Sequence, residues 1–241
     1  MKSIIGTAGW SVAREEAAHF RAEGTSLERY AARFGGAEIN SSFHRSHRAS
    51  TWQRWADSVP DGFRFSVKVP KTVTHLNKLA ECTDLLAAFL EEVAPLGAKL
   101  DVLLVQLPPK LAWDAALVAA FFDNLQGRTE TAIACEPRHA SWFEAEADAF
   151  LAARGIARVG ADPARVPEAA APGSWGKLRY WRLHGSPVIY RSAYGAERLK
   201  GYAAAIEEAR AAGARTWCIF DNTASSAATG DALWLDERLN G

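Results

Sequence analysis

Residues 131–143 read Thr-Ala-Ile-Ala-Cys-Glu-Pro-Arg-His-Ala-Ser-Trp-Phe, and this stretch decides the fold. Its first five residues are short, β-branched or apolar, the composition of a buried strand. Ser141 followed by Glu144 reads as a capping box that opens a helix. Glu136, Arg138 and His139 therefore sit at a strand-to-helix turn, where α/β proteins keep their chemistry. Side chains alternate along a strand, so Ala132, Ala134, Glu136 and Arg138 share one face and Ile133 and Cys135 the other.

The same unit recurs in both directions along the chain. Strands are expected at residues 3–7, 37–40, 63–69, 101–107, 131–135, 156–160, 178–184 and 216–221. Amphipathic helical patterns separate most of them. Thr25 and Glu28 form a capping box ahead of Leu27, Tyr30, Ala31 and Phe34; Trp52, Trp55, Ala56 and Val59 mark a helix capped at 50–53; Leu86, Phe89 and Val93 mark one that starts at Thr83. Only residues 163–177, rich in Pro, Gly and Ala, lack a helical pattern, and this irregular segment follows the sixth strand.

Eight strands with their crossover helices in 241 residues predict a compact α/β fold, a (β/α)8 TIM-type barrel of about 250 residues, with a doubly wound open sheet as the competing arrangement. Polar residues at the C-terminal ends of the strands favour closure: Glu38 and Asn40, Lys68, Gln106, Glu136 and Arg138, Asp162, Arg182 and His184, Asp221 and Asn222. A barrel brings all of them to one mouth. No linker composition interrupts the chain, so residues 1–241 are expected to form a single domain.

Composition limits the function classes. Lys plus Arg and Asp plus Glu number 28 each, which supplies no field to draw a polyanion, so nucleic acid is a disfavoured partner though not an excluded one. No apolar run reaches the length of a membrane span or a signal-peptide core, so no membrane partner and a cytoplasmic location are expected. Three distant cysteines, Cys82, Cys135 and Cys218, read as reduced core residues. Oligomeric state leaves no signal in the sequence.

Several blocks together resemble the YecE-like family, domain of unknown function seventy-two. They are Gly6-Thr7-Ala8-Gly9-Trp10, Glu38-Ile39-Asn40-Ser41-Ser42-Phe43, Phe63-Arg64-Phe65-Ser66-Val67-Lys68, Gln106-Leu107-Pro108-Pro109, Glu136-Pro137-Arg138-His139 with Ser141-Trp142-Phe143, and Arg182-Leu183-His184-Gly185. They span the chain nearly end to end. The resemblance implies a TIM-type barrel with one pocket built from these blocks, and no established reaction. The chain departs from the family pattern at Ala8, at Pro137 and at Asp221-Asn222-Thr223, where Asn-Asn-Asp is usual.

The residues themselves point to chemistry on an anion. Glu136 is the candidate catalytic carboxylate, Glu38 its partner across the barrel, and His184 a proton shuttle. Lys68, Arg138 and Arg182 suit a phosphate or carboxylate, although they could instead compensate the carboxylates. Lys68 in particular is expected near a carboxylate. Asn40, Gln106, Asp162, Asn222 and the rim residues Trp10, Phe43 and His75 complete the expected binding set, and His139 reads as a capping residue as readily as a chemical one. No metal is expected, because no close-spaced His motif occurs and three cations would repel a divalent ion. Neither a dinucleotide or phosphate loop nor a serine-hydrolase elbow is present, so no cofactor is expected. The leading expectation is an enzyme, a hydrolase or isomerase, acting on a small anionic, sugar-like substrate by metal-independent acid/base catalysis. The alternatives are a non-catalytic barrel that binds a metabolite or nucleic-acid end, and a metal-dependent phosphodiester hydrolase or sugar isomerase.

Overall fold

The structure is a computed structural model that describes residues 2–241. In chain order the elements are β1 (Ile4–Thr7), α1 (Ser26–Ala31), β2 (Gly36–Ile39), α2 (Ser41–His44), α3 (Ala49–Asp57), β3 (Arg64–Lys68), α4 (Thr83–Val93), β4 (Leu100–Gln106), α5 (Ala115–Gln126), β5 (Ala132–Glu136), α6 (Ala145–Ala153), β6 (Ile156–Arg158), β7 (Gly160–Asp162), β8 (Gly173–Ser174), β9 (Leu178–Leu183), α7 (Ala196–Ala211), β10 (Arg215–Phe220) and α8 (Ala227–Asn240). Short 3-10 turns and one turn of π-helix, Thr72–Leu76, join several of them.

The strands form a parallel four-stranded sheet, β1-β10-β9-β7, and a six-stranded sheet, β2-β3-β4-β5-β6-β8, parallel except for the β6–β8 pair. Two places connect the sheets. Ala8 forms a lone parallel bridge with Glu38, and Gly9 N–H donates to the Glu38 carbonyl at 2.8 Å. The Tyr30 hydroxyl from α1 completes this seam by accepting from Thr7 N–H at 2.7 Å and facing the Gly36 carbonyl at 3.3 Å. A Cβ on Gly6 would meet that carbonyl oxygen at 2.2 Å, so the strands can approach this closely only through glycine. On the other side the chain runs from β6 into β7 through Val159, whose N–H donates to the Cys135 carbonyl at 2.8 Å.

The single strand expected at residues 156–160 is thus two short strands, one in each sheet. The irregular segment after them carries a 3-10 turn, Pro167–Ala170, and β8, and no α-helix. Arg158 holds it, donating to the Glu168 carbonyl at 2.8 Å and to Asp148 at 3.1 Å. Two helix starts also differ from expectation. α3 begins at Ala49 without a side-chain cap, and the Ser141–Glu144 box is absent because Ser141 Oγ accepts Trp113 N–H at 2.8 Å. His139 caps that turn instead, its Nδ1 accepting Ser141 N–H at 3.3 Å. The box at Thr25 and Glu28 is formed.

Helices pack against one face of the strands through a large apolar core that includes Trp52, Phe65, Phe122 and Trp142. A second, smaller cluster takes the opposite face: Val102 and Leu104 of β4, Ala134 of β5, Ala157 of β6, Leu178 and Tyr180 of β9, and Trp217 and Ile219 of β10. Strand residues two apart share a face, so extending this cluster by one step reaches Gln106, Glu136, Arg182 and Asp221. An apolar floor therefore lies directly beneath a polar layer. All three cysteines are free and buried, and among the described residues no helix is long and apolar enough to cross a membrane.

Candidate functional site

Arg182 is the centre of the polar layer, with none of its surface exposed. It grips Glu38 with two parallel bonds, Nε to Oε2 at 2.9 Å and Nη2 to Oε1 at 2.7 Å, and donates from Nη1 to Glu136 Oε2 at 2.6 Å. Nη2 also reaches Asp221 Oδ2 at 3.0 Å. Tyr180 donates to Glu38 Oε2 at 2.8 Å and lies 3.0 Å from Ser66 Oγ. A buried guanidinium is tolerable only with such compensation, and here three carboxylates supply it. Burial alone would raise the Glu136 carboxyl, but Arg182, Arg138 and His184 outweigh it and hold the group well below the usual carboxylate range. Asp221 is likewise lowered against its own burial, chiefly by Arg182 and His184. Glu136 and Asp221 are thus anions at neutral pH.

His184 joins the two anions. Its Nδ1 lies 3.0 Å from Asp221 Oδ2, and its Nε2 faces both Arg138 Nη2 at 2.8 Å and Glu136 Oε1 at 3.2 Å. With the ring neutral, Nδ1–H donates to Asp221 and Nε2 accepts from Arg138. Arg138 also pairs with Glu136, while its own Nε is buried with no partner. Gln106 Nε2 approaches Glu136 Oε1 at 3.4 Å.

Lys68 stands apart from this saturated cluster. As expected it lies near carboxylates, Glu38, Glu136 and Asp221, but it makes no ion pair among the described residues; its ammonium lies 4.1 Å from the centre of the Phe43 ring, and 8% of its surface stays exposed. Burial and then the Arg182 charge push it down to about 8, against the pull of Glu38, Glu136 and Asp221. The His75 ring packs edge-on against Phe43 at 5.0 Å, and burial and Lys68 lower its pKa. Asn40, between β2 and α2, has a buried Oδ1 with no partner.

Other expected residues lie elsewhere. Asp162 is held by Arg198, 2.8 Å from both oxygens, and by the Tyr194 hydroxyl at 2.6 Å. Asn222 donates to Asp231 of α8 at 2.7 Å and to the Ser192 carbonyl at 2.9 Å, so it anchors a helix and a loop. Trp10 packs on Trp55 and Phe65 in the outer core. Arg182, expected as part of an anion clamp, has its donors taken by carboxylates. Tyr180, Ser66 and Asp221 were absent from the expected set. Alternation along residues 178–184 puts Tyr180 on the face of Arg182 and His184, and the strand-end position of Asp221 already places it with the other polar strand-end residues. Among the described residues, no group of three His, Cys, Asp or Glu side chains is placed to hold a metal ion.

The family model described as "Protein of unknown function DUF72" matches residues 4–241. The UPF0759 protein YecE of Escherichia coli K12 is 32% identical over 156 residues, 62% of this chain and 56% of that protein. Its counterpart in Escherichia coli O157:H7 is 31% identical over the same extent, so the match spans little more than half the length of these curated relatives. Among solved structures, a DUF72 family protein of Enterococcus faecalis V583 superposes with a TM-score of 0.83 at 20% identity, covering 99% of this chain and 95% of that one. One from Thermotoga maritima MSB8 gives 0.82 at 22%, covering 100% of each. With the family model matched over nearly the whole chain, this protein belongs to the DUF72 family.

Proposed function

We propose that the two sheets close into a (β/α)8 barrel and that its C-terminal mouth binds a small anionic molecule, phosphorylated or carboxylated and sugar-like, on which it performs metal-independent acid/base catalysis. The Ala8–Glu38 bridge and the passage of β6 into β7 support closure. One observation carries the functional reading: Lys68 and Arg138 hold unspent cationic donors beside a centre whose other charges are paired. An oxyanion placed there would take Arg138 Nε–H and the Lys68 ammonium, and Asn40 and Gln106 would contact its polar substituents. His184 would move the proton, with Asp221 setting its tautomer and Glu136 stabilising its charged form. Arg182 and Glu38 would hold that apparatus rigid.

The depth at which Arg182, Glu38, Glu136 and His184 lie, each with no exposed surface, favours a second reading in which the mouth binds a metabolite without turnover. A panel of sugar phosphates and sugar acids separates the two. Catalysis predicts consumption of at least one compound, with Lys68→Ala and Arg138→Ala each costing about 10- to 100-fold in kcat/KM, the loss of one charge-assisted hydrogen bond. Binding that these variants abolish, with no consumption of the bound compound, selects the binding protein. Compounds that bind both variants as they bind the wild type sink both readings.

A further inference from the structure

Lys68 has the surroundings of a nucleophile. It ends β3 at the mouth, keeps a small exposed surface, and has an aromatic ring rather than a carboxylate against its ammonium. Ion-paired lysines stay charged and inert as nucleophiles; a lysine that is desolvated and set near another cation is the kind that forms imines. Both conditions hold here, since burial and Arg182 both disfavour its charged form.

We propose that Lys68 forms a covalent imine with a small aldehyde or ketone that also carries a phosphate or carboxylate. The inference rests on the anion-binding reading above and names the substrate class within it. The neutral Nζ attacks the carbonyl carbon, and the C=O electron pair moves to oxygen, which takes a proton. The resulting carbinolamine loses its hydroxyl, protonated, as water, while the nitrogen lone pair forms C=N. Overall, a lysine ammonium and a carbonyl become an iminium ion and one water, with charge conserved and no oxidant needed. Arg138 supplies the contact for the anionic group. His75 is the proton carrier beside the nitrogen: burial and Lys68 itself disfavour its charged form, so it is a neutral acceptor near neutral pH. At about 8, Lys68 has a far larger neutral fraction near physiological pH than an ordinary lysine.

The test is reductive trapping of the full chain near neutral pH. Pyruvate, glyoxylate and dihydroxyacetone phosphate are each incubated with the protein and sodium cyanoborohydride, and adducts are mapped by peptide mass spectrometry. Calorimetry with inorganic phosphate, on wild type and on Arg138→Ala, reads the anion site alone. The expected result is an adduct on Lys68 at least about tenfold above that on any exposed lysine, blocked by phosphate and missing from Lys68→Arg and Lys68→Met. Circular dichroism checks that both variants fold. Labelling of Lys68 no faster than of exposed lysines, with all three carbonyl compounds, overturns the inference. Phosphate binding that depends on Arg138 without any Lys68 adduct also overturns it and leaves the anion site standing. An adduct that phosphate does not block upholds the imine and removes the anion reading.

Discussion

Arg182 balances three carboxylates, so its removal leaves more behind than it takes away. Replacing it with methionine keeps much of the volume but strands Glu38, which has no other cation among the described residues, and takes one partner each from Glu136 and Asp221. Breaking one side of a buried ion pair typically costs about 3–5 kcal/mol, and Arg182→Met is expected to lose at least that much in urea unfolding. A loss below about 1 kcal/mol would show that water replaces the guanidinium and that the layer is not sealed. At this scale the candidate site was largely legible from alternation and strand-end position: Glu38, Glu136, Arg182 and His184 do meet in one cluster. The partition within the cluster was not legible. Which cation neutralises the carboxylates and which stays free depends on side-chain reach across the sheets, and no local pattern encodes that. Hence Lys68, Arg138 and Arg182 appeared as one clamp, where the structure spends Arg182 on carboxylates and leaves Lys68 without an ion pair among the described residues.

Helix α1 does more than cover an apolar face. Its Tyr30 places one hydroxyl between β1 and β2, where an ordinary ladder would have backbone bonds. Tyr30→Phe keeps the packing and removes the hydroxyl, leaving Thr7 N–H without its partner in a buried position. The expected cost is about 1–3 kcal/mol in denaturant unfolding; no change would mean that β1 and β2 re-pair directly. Most long elements were readable from periodicity, because buried strands and amphipathic helices have distinct repeats, whereas the short α2 and β8 were not. The splitting of residues 156–162 into β6 and β7 was not, since a strand that changes sheets keeps the same apolar pattern. Residues 163–177 were correctly read as lacking a helix, but what holds them, the Arg158 side chain reaching the Glu168 carbonyl, is a contact between segments that sequence spacing does not reveal.

For the molecule as a whole, the polar layer sets an acid limit. Glu136 and Asp221 have folded pKa values below their unfolded ones, so the stability they contribute is fully present above the unfolded values, about 4, and is lost as pH falls through the folded ones. Asp231 has the opposite sign. Burial pushes it up to about 6, so its unfavourable contribution is relieved as pH falls through that value. Followed by thermal unfolding, the Asp231 contribution should therefore raise the midpoint as pH falls from about 6 towards 4, and the Glu136 and Asp221 contributions should lower it below about 4. A midpoint unchanged at strongly acidic pH would be incompatible with ionised carboxylates in the folded layer.

The floor of Val102, Leu104, Leu178, Tyr180, Trp217 and Ile219 closes the space under that layer. If the two sheets close into a barrel as proposed and a ligand sits at its mouth, that mouth is a dead end with a single doorway. A molecule made there must leave by the route its precursor used, so each occupies the other's path. Product inhibition of the competitive kind would then be a property of the architecture, independent of how tightly any one residue holds the product.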